Sequence, residues 1–218
     1  MTGLFAALLM LGMTLLSTSA EAQVTRRTSM PNIKIGMARN MLSGYQYTLD
    51  DGTNTYDNAD GMQGNEVSFE WIFFDRISIE IDYGLTPLER NYEIIDGAAV
   101  TVNVDESART MLYGTNIYFN GASGSGFKLL MGLRTGTITV THEYTGTGST
   151  LDTLSSSVKV PVNLVDLGVD WVFDNAGVRL KYSMLNGKTK VQDSPDVGFT
   201  ETFEFGGGMT TLGIYSFF

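Results

Sequence analysis

The sequence predicts an all-β chain: an eight-stranded antiparallel up-and-down transmembrane β-barrel with long extracellular loops and short periplasmic turns. Three observations predict it. Apolar and polar residues alternate with period two along eight segments. The connections between those segments alternate short and long. After the N-terminus, no apolar run is long enough for a helix to cross a bilayer.

The eight segments lie near 32–42, 65–74, 77–86, 110–119, 127–136, 163–173, 178–186 and 206–218. Val67, Phe69, Trp71 and Phe73 share one face against Ser68 and Glu70 on the other. Ile77, Ile79, Ile81 and Tyr83 oppose Ser78, Glu80 and Asp82, and Leu129, Met131 and Leu133 oppose Lys128, Gly132 and Arg134. Val165, Leu167, Val169 and Trp171 oppose Asp166 and Asp170; Val178, Leu180 and Tyr182 oppose Arg179 and Lys181. In a sheet the period of two puts each set on its own face. The first segment is less regular: Arg39 shares the phase of Ile33, Ile35 and Met37. Either it lies at headgroup height, where a long cation snorkels, or the phase slips there.

Short connections are expected at Asp75-Arg76, from Asn120 to Gly126, and from Asp174 to Gly177; long ones near 43–64, 87–109, 141–162 and 187–205. In the second long connection, Asp96-Gly97 between two apolar runs is a hairpin signal, so the wall is expected to continue above the membrane there. The four long connections hold 15 acidic and 5 basic residues, which accounts for the whole net charge of −10. Scattered acidity of this kind serves solvation first. The same charge argues against a nucleic-acid partner.

At 218 residues a single domain is expected, and without cysteine neither disulfides nor a thiolate metal site can form. Leu4 to Leu16 form an apolar run followed by Ala20-Glu21-Ala22, a small-x-small cleavage pattern, although no Lys or Arg precedes it. The expected organisation is a signal peptide over 1–22, a periplasmic N-terminal segment over 23–31 starting at Gln23, and a barrel over 32–218.

Why a membrane barrel rather than a soluble one? A soluble barrel turns its apolar phase inward. Here the polar phase carries both signs of charge, which an eight-stranded lumen is just wide enough to fill with side chains. Lys34, Glu66, Glu70, Glu80, Asp82, Lys128, Arg134, Asp166, Asp170, Arg179 and Lys181 are expected to form an interior charge network. Trp71, Phe73, Trp171 and Phe173 adjoin short turns, where a periplasmic aromatic girdle belongs.

The last strand carries a resemblance. Gly213, Ile214, Tyr215, Phe217 and Phe218 resemble the terminal strand of outer-membrane barrels, which ends in an aromatic residue after alternating apolar ones and a Gly. Tyr215 and Phe217 occupy one phase and Leu212, Ile214 and Phe218 the other, so the lipid-facing phase is open at this point. With the eight-strand layout, the chain resembles the small barrels of the OmpA-domain and OmpX class. That resemblance implies a location in the bacterial outer membrane with both termini periplasmic. It also implies that the barrel-assembly machinery reads the last strand.

Catalytic signals are sparse. His142 is the sole histidine, which excludes a metal site of several imidazoles. His142-Glu143-Tyr144 resembles the membrane-rim histidine of lipid-modifying barrels, but that pattern needs Ser where Tyr144 stands. The residue is expected on a loop surface, with nothing to orient it as a base. Asp57-Asn58-Ala59-Asp60-Gly61 lacks the ligand spacing of a calcium loop. No cofactor is expected. The reading is a monomeric, non-enzymatic barrel contacting outer-membrane lipids. It would act in envelope integrity or surface interaction, with an extracellular ligand or host surface as partner of its acidic loops. The alternative is a narrow channel for small or lipophilic solutes; a lipid-modifying enzyme using His142 comes third.

Overall fold

The computed structural model describes residues 33–50, 55–58, 61–73, 75–96, 100–145, 155–191 and 200–218. The expected signal peptide, the segment 23–31, Gly97 and Ala59-Asp60 lie outside the described residues. Nine strands are formed: β1 (Ile33–Asp50), β2 (Thr55–Asn58), β3 (Met62–Phe73), β4 (Ile77–Asp96), β5 (Val100–Tyr118), β6 (Gly126–Thr145), β7 (Ser155–Phe173), β8 (Ala176–Val191) and β9 (Thr200–Phe217). Strand β2 is a four-residue flap paired to the outer end of β1. The other eight pair antiparallel in sequence order, and β1 pairs with β9 to close the ring.

Closure is the step that a membrane demands, because hydrocarbon offers no partner to an open edge. The β1–β9 register runs from Lys34↔Phe217 to Asp50↔Thr200. At the end of the ring, Phe218 N–H donates to the Ile33 carbonyl at 2.9 Å. The first and last strands therefore meet at the same end as the short turns.

Those turns interlock. Asp75 sits at φ 63°, a left-handed conformation that Asp tolerates. Its carboxylate accepts from Ser123 N–H at 2.6 Å and its carbonyl from Ala122 N–H at 2.7 Å, folding the 119–125 turn over the first. Gly121 is required at this crossing, since a Cβ would lie 2.5 Å from the Asp75 carboxylate and its φ is 80°.

The strands are longer than their sequence pattern suggested. Much of the expected long loops 43–64, 87–109, 141–162 and 187–205 is strand. The reason is visible in β6. Phe127, Met131 and Leu133 point outward and are exposed, while Lys128 and Arg134 are buried inside. Beyond Leu133 the outward positions become Thr135, Thr137, Thr139, Thr141 and Glu143, and the inward ones become Ile138, Val140, His142 and Tyr144. The apolar phase changes sides although the strand does not break. In β7 likewise, Trp171, Leu167 and Val165 face out, then Leu164, Val162 and Val160 face in. A wall that leaves hydrocarbon and enters water must make this exchange. At about 3.3 Å per residue and a tilt near 40°, Val165 to Phe173 stands about 20 Å tall, close to the usual apolar band.

The open questions of phase resolve here. Leu212, Ile214 and Phe218 face outward; Tyr215 and Phe217 face in. Arg39 faces outward in unbroken register and donates to Gln63 Oε1 at 2.7 Å. The phase slips later, at the bulge between Ser43 and Tyr45, where Gly44 takes φ 73° against Gly207.

This assignment predicts opposite outcomes for one substitution at two heights on β7. Leu167→Arg should lower stability in lipid vesicles by about 2–4 kcal/mol, because it sets a charge in mid-membrane. Ser157→Arg, also outward but above the band, should change it by less than about 0.5 kcal/mol. Reversible urea titration of both variants in the same vesicles checks the pair.

Candidate functional site

The lumen is filled in four layers. At the short-turn end Ile72, Tyr118, Ala122, Leu130, Val172, Tyr215 and Phe217 make an apolar floor. The second layer, inside the membrane band, is ionic. Arg179 bonds Glu70 at 2.7 Å, Glu80 at 2.6 Å and Asp170 at 2.7 Å. Lys34 pairs with Asp170 at 2.6 Å and Lys181 with Glu80 at 2.9 Å. Arg134 grips Asp166 at 2.6 Å and also bonds Asp82. The Tyr118 hydroxyl accepts from Lys34 at 2.6 Å and donates to Glu70 at 2.7 Å.

Nine of the charges picked out along the sequence thus meet in one network, and two stand apart from it. The Glu66 carboxylate accepts from Asn40 at 2.6 Å, and Lys128 donates to the Ser123 carbonyl at 2.5 Å, below the network. The four aromatic residues beside the short turns all face outward as two contacting pairs: Trp71 with Phe73 at 4.5 Å and Trp171 with Phe173 at 4.8 Å. Phe127 stacks on Trp171 at 5.2 Å. Gly213 faces in beside β1, where its missing side chain admits Ala38.

Above the ionic layer comes a larger apolar one, including Leu42, Met62, Leu112, Ile138, Val162, Leu164, Leu185 and Met209. It closes the lumen where the wall leaves the membrane. The fourth layer, beyond it, corrects the expectation for His142. That residue is on no loop surface: it lies on β6, points inward and is fully buried.

Register builds this outer cluster. Glu106 on β5 stands opposite His142, and His142 opposite Ser156 on β7. Across the lumen, Tyr45, Tyr47, Glu201 and Phe203 approach from β1 and β9. His142 Nε2 lies 2.6 Å from Glu106 Oε1, and Nδ1 lies 3.7 Å from Glu201 Oε1. Tyr45 donates to Glu106, while Tyr47 and Ser156 donate to Glu201 at 3.0 and 2.9 Å. Tyr47 and Tyr144 share a hydroxyl hydrogen bond of 2.7 Å, and Phe203 stacks on the imidazole at 5.5 Å. Arg90 is the residue opposite Glu106 in the β4–β5 register.

Both ring nitrogens therefore face carboxylates, and aromatic side chains flank the ring. Such surroundings favour the protonated ring. Burial alone would push its pKa down, but hydrogen bonding and attraction to Glu106 and Glu201 lift it above the ordinary value. Burial raises the Tyr144 phenol, so it stays neutral beside them. The signal that could have revealed the cluster was present: His142, Glu106 and Glu201 each interrupt an apolar phase between Val140 and Tyr144, Val104 and Ala108, and ahead of Phe203 and Phe205. A metal group is not formed among the described residues.

Two outcomes follow from these layers. Removing Arg179 leaves three buried carboxylates short of a partner, so Arg179→Met should cost about 3–5 kcal/mol in vesicle unfolding. The histidine prediction carries a sign. A group whose folded pKa is raised stabilises fully below its unfolded value near 6.5 and loses that contribution as pH rises through the folded value. The outer end should therefore loosen on the alkaline side, seen as faster amide exchange in 103–108 and 138–145, and His142→Gln should abolish that pH dependence. Because the chain has one histidine, its imidazole resonances report the titration without overlap. A midpoint at or below 6.5 would contradict the ion-pair assignment.

No protein-family model matches the chain, and no curated protein matches it in sequence. Solved structures do match in shape. The outer membrane protein OprG from Pseudomonas aeruginosa superposes with a TM-score of 0.54 at 15% identity, covering 87% of this chain and 97% of that one. Ail, the attachment invasion locus protein of Yersinia pestis, gives 0.45 at 12%, covering 86% and 99%. The outer membrane protease OmpT from Escherichia coli gives 0.42 at 11%, covering 89% and 99%. The chain thus has the fold of the small outer-membrane β-barrels: eight antiparallel strands in a closed ring.

Proposed function

We propose that the protein is an exported outer-membrane barrel with a closed lumen, acting through the water-exposed upper part of its wall and its acidic loops. The observation that carries the reading is the outward apolar band, from Trp71, Phe127 and Trp171 up to Leu133, Val165 and Met184, surrounding an interior in which nine charges form one ionic network. An outside this apolar and an inside this charged are the reverse of what water requires, and fit hydrocarbon. On this reading residues 1–22 direct export and 23–31 lie in the periplasm with both chain ends. The C-terminal residues Gly213, Ile214, Tyr215, Phe217 and Phe218 then serve as the assembly signal. Charge network and aromatic girdle anchor and brace a single-copy wall.

The role that follows is non-catalytic: envelope integrity or contact with an outside ligand or surface. Supporting it, His142 is bound through Nε2 to Glu106 and fully enclosed, and two apolar layers cap the ionic one. Protein fractionated from cells should partition with the outer membrane and migrate differently on gels boiled and unboiled. In planar bilayers it should conduct little or nothing. A stable, large conductance would favour the channel reading, and recovery in the soluble periplasmic fraction would refute the membrane one.

A further inference from the structure

The outward face is not chemically even above the apolar band. Five basic residues project from strands to the outside among the described residues: Arg39, Arg109, Lys159, Lys188 and Lys190. Four of them gather on β5–β8. Arg109 follows Met111 directly as the next outward residue of β5, and in register Arg109 stands opposite Thr139, itself opposite Lys159. On β8, Lys188 and Lys190 are the outward residues after Asn186. On β5 and β6 the outward acids begin higher, at Asp105 and its register partner Glu143, while on β9 Glu204 stands level with Lys188 as its register partner. In a chain of net charge −10, whose surplus lies on this side of the membrane, a predominantly basic arc at the membrane border runs against the trend.

Directly below the arc the wall is grooved. Tyr113, Leu133, Val165 and Met184 line the groove on the membrane side, and Asn163 and Asn186, which are register partners, on the water side. Behind it, two glycines on the lumen phase let the strands approach closely: a Cβ on Gly114 would lie 2.0 Å from the Leu133 carbonyl, and one on Gly136 2.1 Å from that of Met111. The strands coil tightly there, and only glycine permits it.

We propose that this face holds a lipid of the outer leaflet bearing a phosphorylated sugar headgroup, with an acyl chain in the groove, sugar hydroxyls on Asn163 and Asn186, and phosphate on the basic arc. The inference rests on the membrane reading above and names the partner of its wall. The three chemistries stack in the order in which such a lipid presents them, from chain to sugar to phosphate. Along each strand the basic residues come one to three outward positions above the band, at headgroup depth. Lys188 holds Glu204 at 2.5 Å, but both are exposed, and an ion pair in water is weak enough to give way to a phosphate.

The test uses the full mature protein folded in a neutral detergent, with heat-dependent gel migration confirming the barrel in each sample. Native mass spectrometry then follows titration with bisphosphorylated lipid A and with its dephosphorylated form. The native protein should retain the phosphorylated lipid. The triple variant Lys159→Gln, Lys188→Gln, Lys190→Gln should bind it about tenfold more weakly, three exposed ion pairs being lost. Val165→Trp, which fills the groove and leaves the charges, should also weaken it. Arg39→Gln, on the opposite wall, should bind as the native protein does. Unchanged binding in the triple variant or in Val165→Trp overturns the proposal, as does an equal loss in Arg39→Gln or equal retention of the dephosphorylated lipid. Failure to form a heat-modifiable barrel at all would instead count against the membrane reading.

Discussion

In hydrocarbon a backbone N–H or C=O without a partner costs several kcal/mol, and the pairing of β1 with β9 is where this chain finally meets that demand. Every other pair in the ring joins wall strands that follow one another along the chain. The β1–β9 pair joins the two ends of the barrel, from Lys34↔Phe217 to Asp50↔Thr200. Once the ring is shut its radius is fixed, and so is the space that the interior must fill. Eight strands leave room for side chains and little else. The ionic layer can then be read as a consequence of closure. Gly132 and Gly213 keep parts of the wall bare, and long side chains such as Arg134 and Arg179 cross the space to find carboxylates.

Two solvents shape the same strands. In the membrane band the outside is apolar and the inside charged; above it the outside is threonine, serine, asparagine and lysine and the inside is aromatic and aliphatic. A membrane-type barrel and a water-type barrel are stacked end to end on one continuous wall. The choice between these types, posed as exclusive by hydrophobic phase alone, has both answers at different heights. The buried His142 cluster belongs to the upper type. There a buried polar group needs partners as much as it would in any soluble core, and the imidazole and the carboxylates of Glu106 and Glu201 face one another.

How much of this was legible along the chain depended on the length over which one phase holds. Ile77, Ile79, Ile81 and Tyr83 hold theirs throughout the band, so strand, face and membrane could be read together. Residues 138–145 alternate just as strictly, but in the opposite phase, and the change between Leu133 and Ile138 looked like the end of a strand. Phase alone therefore puts His142 on a loop. The interior charges could be named from their phase, but not their pairing: that Lys34 reaches Asp170 across the lumen, or that Glu66 turns to Asn40, depends on ring curvature and shear. The groove was illegible for the same reason, because Tyr113, Leu133, Val165 and Met184 come together only when the strands coil.

The exchange of apolar phase also sets a mechanical property. If the barrel sinks by one outward position, Thr135 and Asn163 enter hydrocarbon; if it rises by one, Leu133 and Val165 enter water. Both displacements cost free energy, and they oppose each other, so the wall sits in a well rather than floating freely along the membrane normal. The aromatic pairs at the lower rim stiffen the well from below. Whatever the outer strands carry is thereby held at a constant stand-off from the lipid surface, with a restoring force encoded residue by residue in the strands themselves.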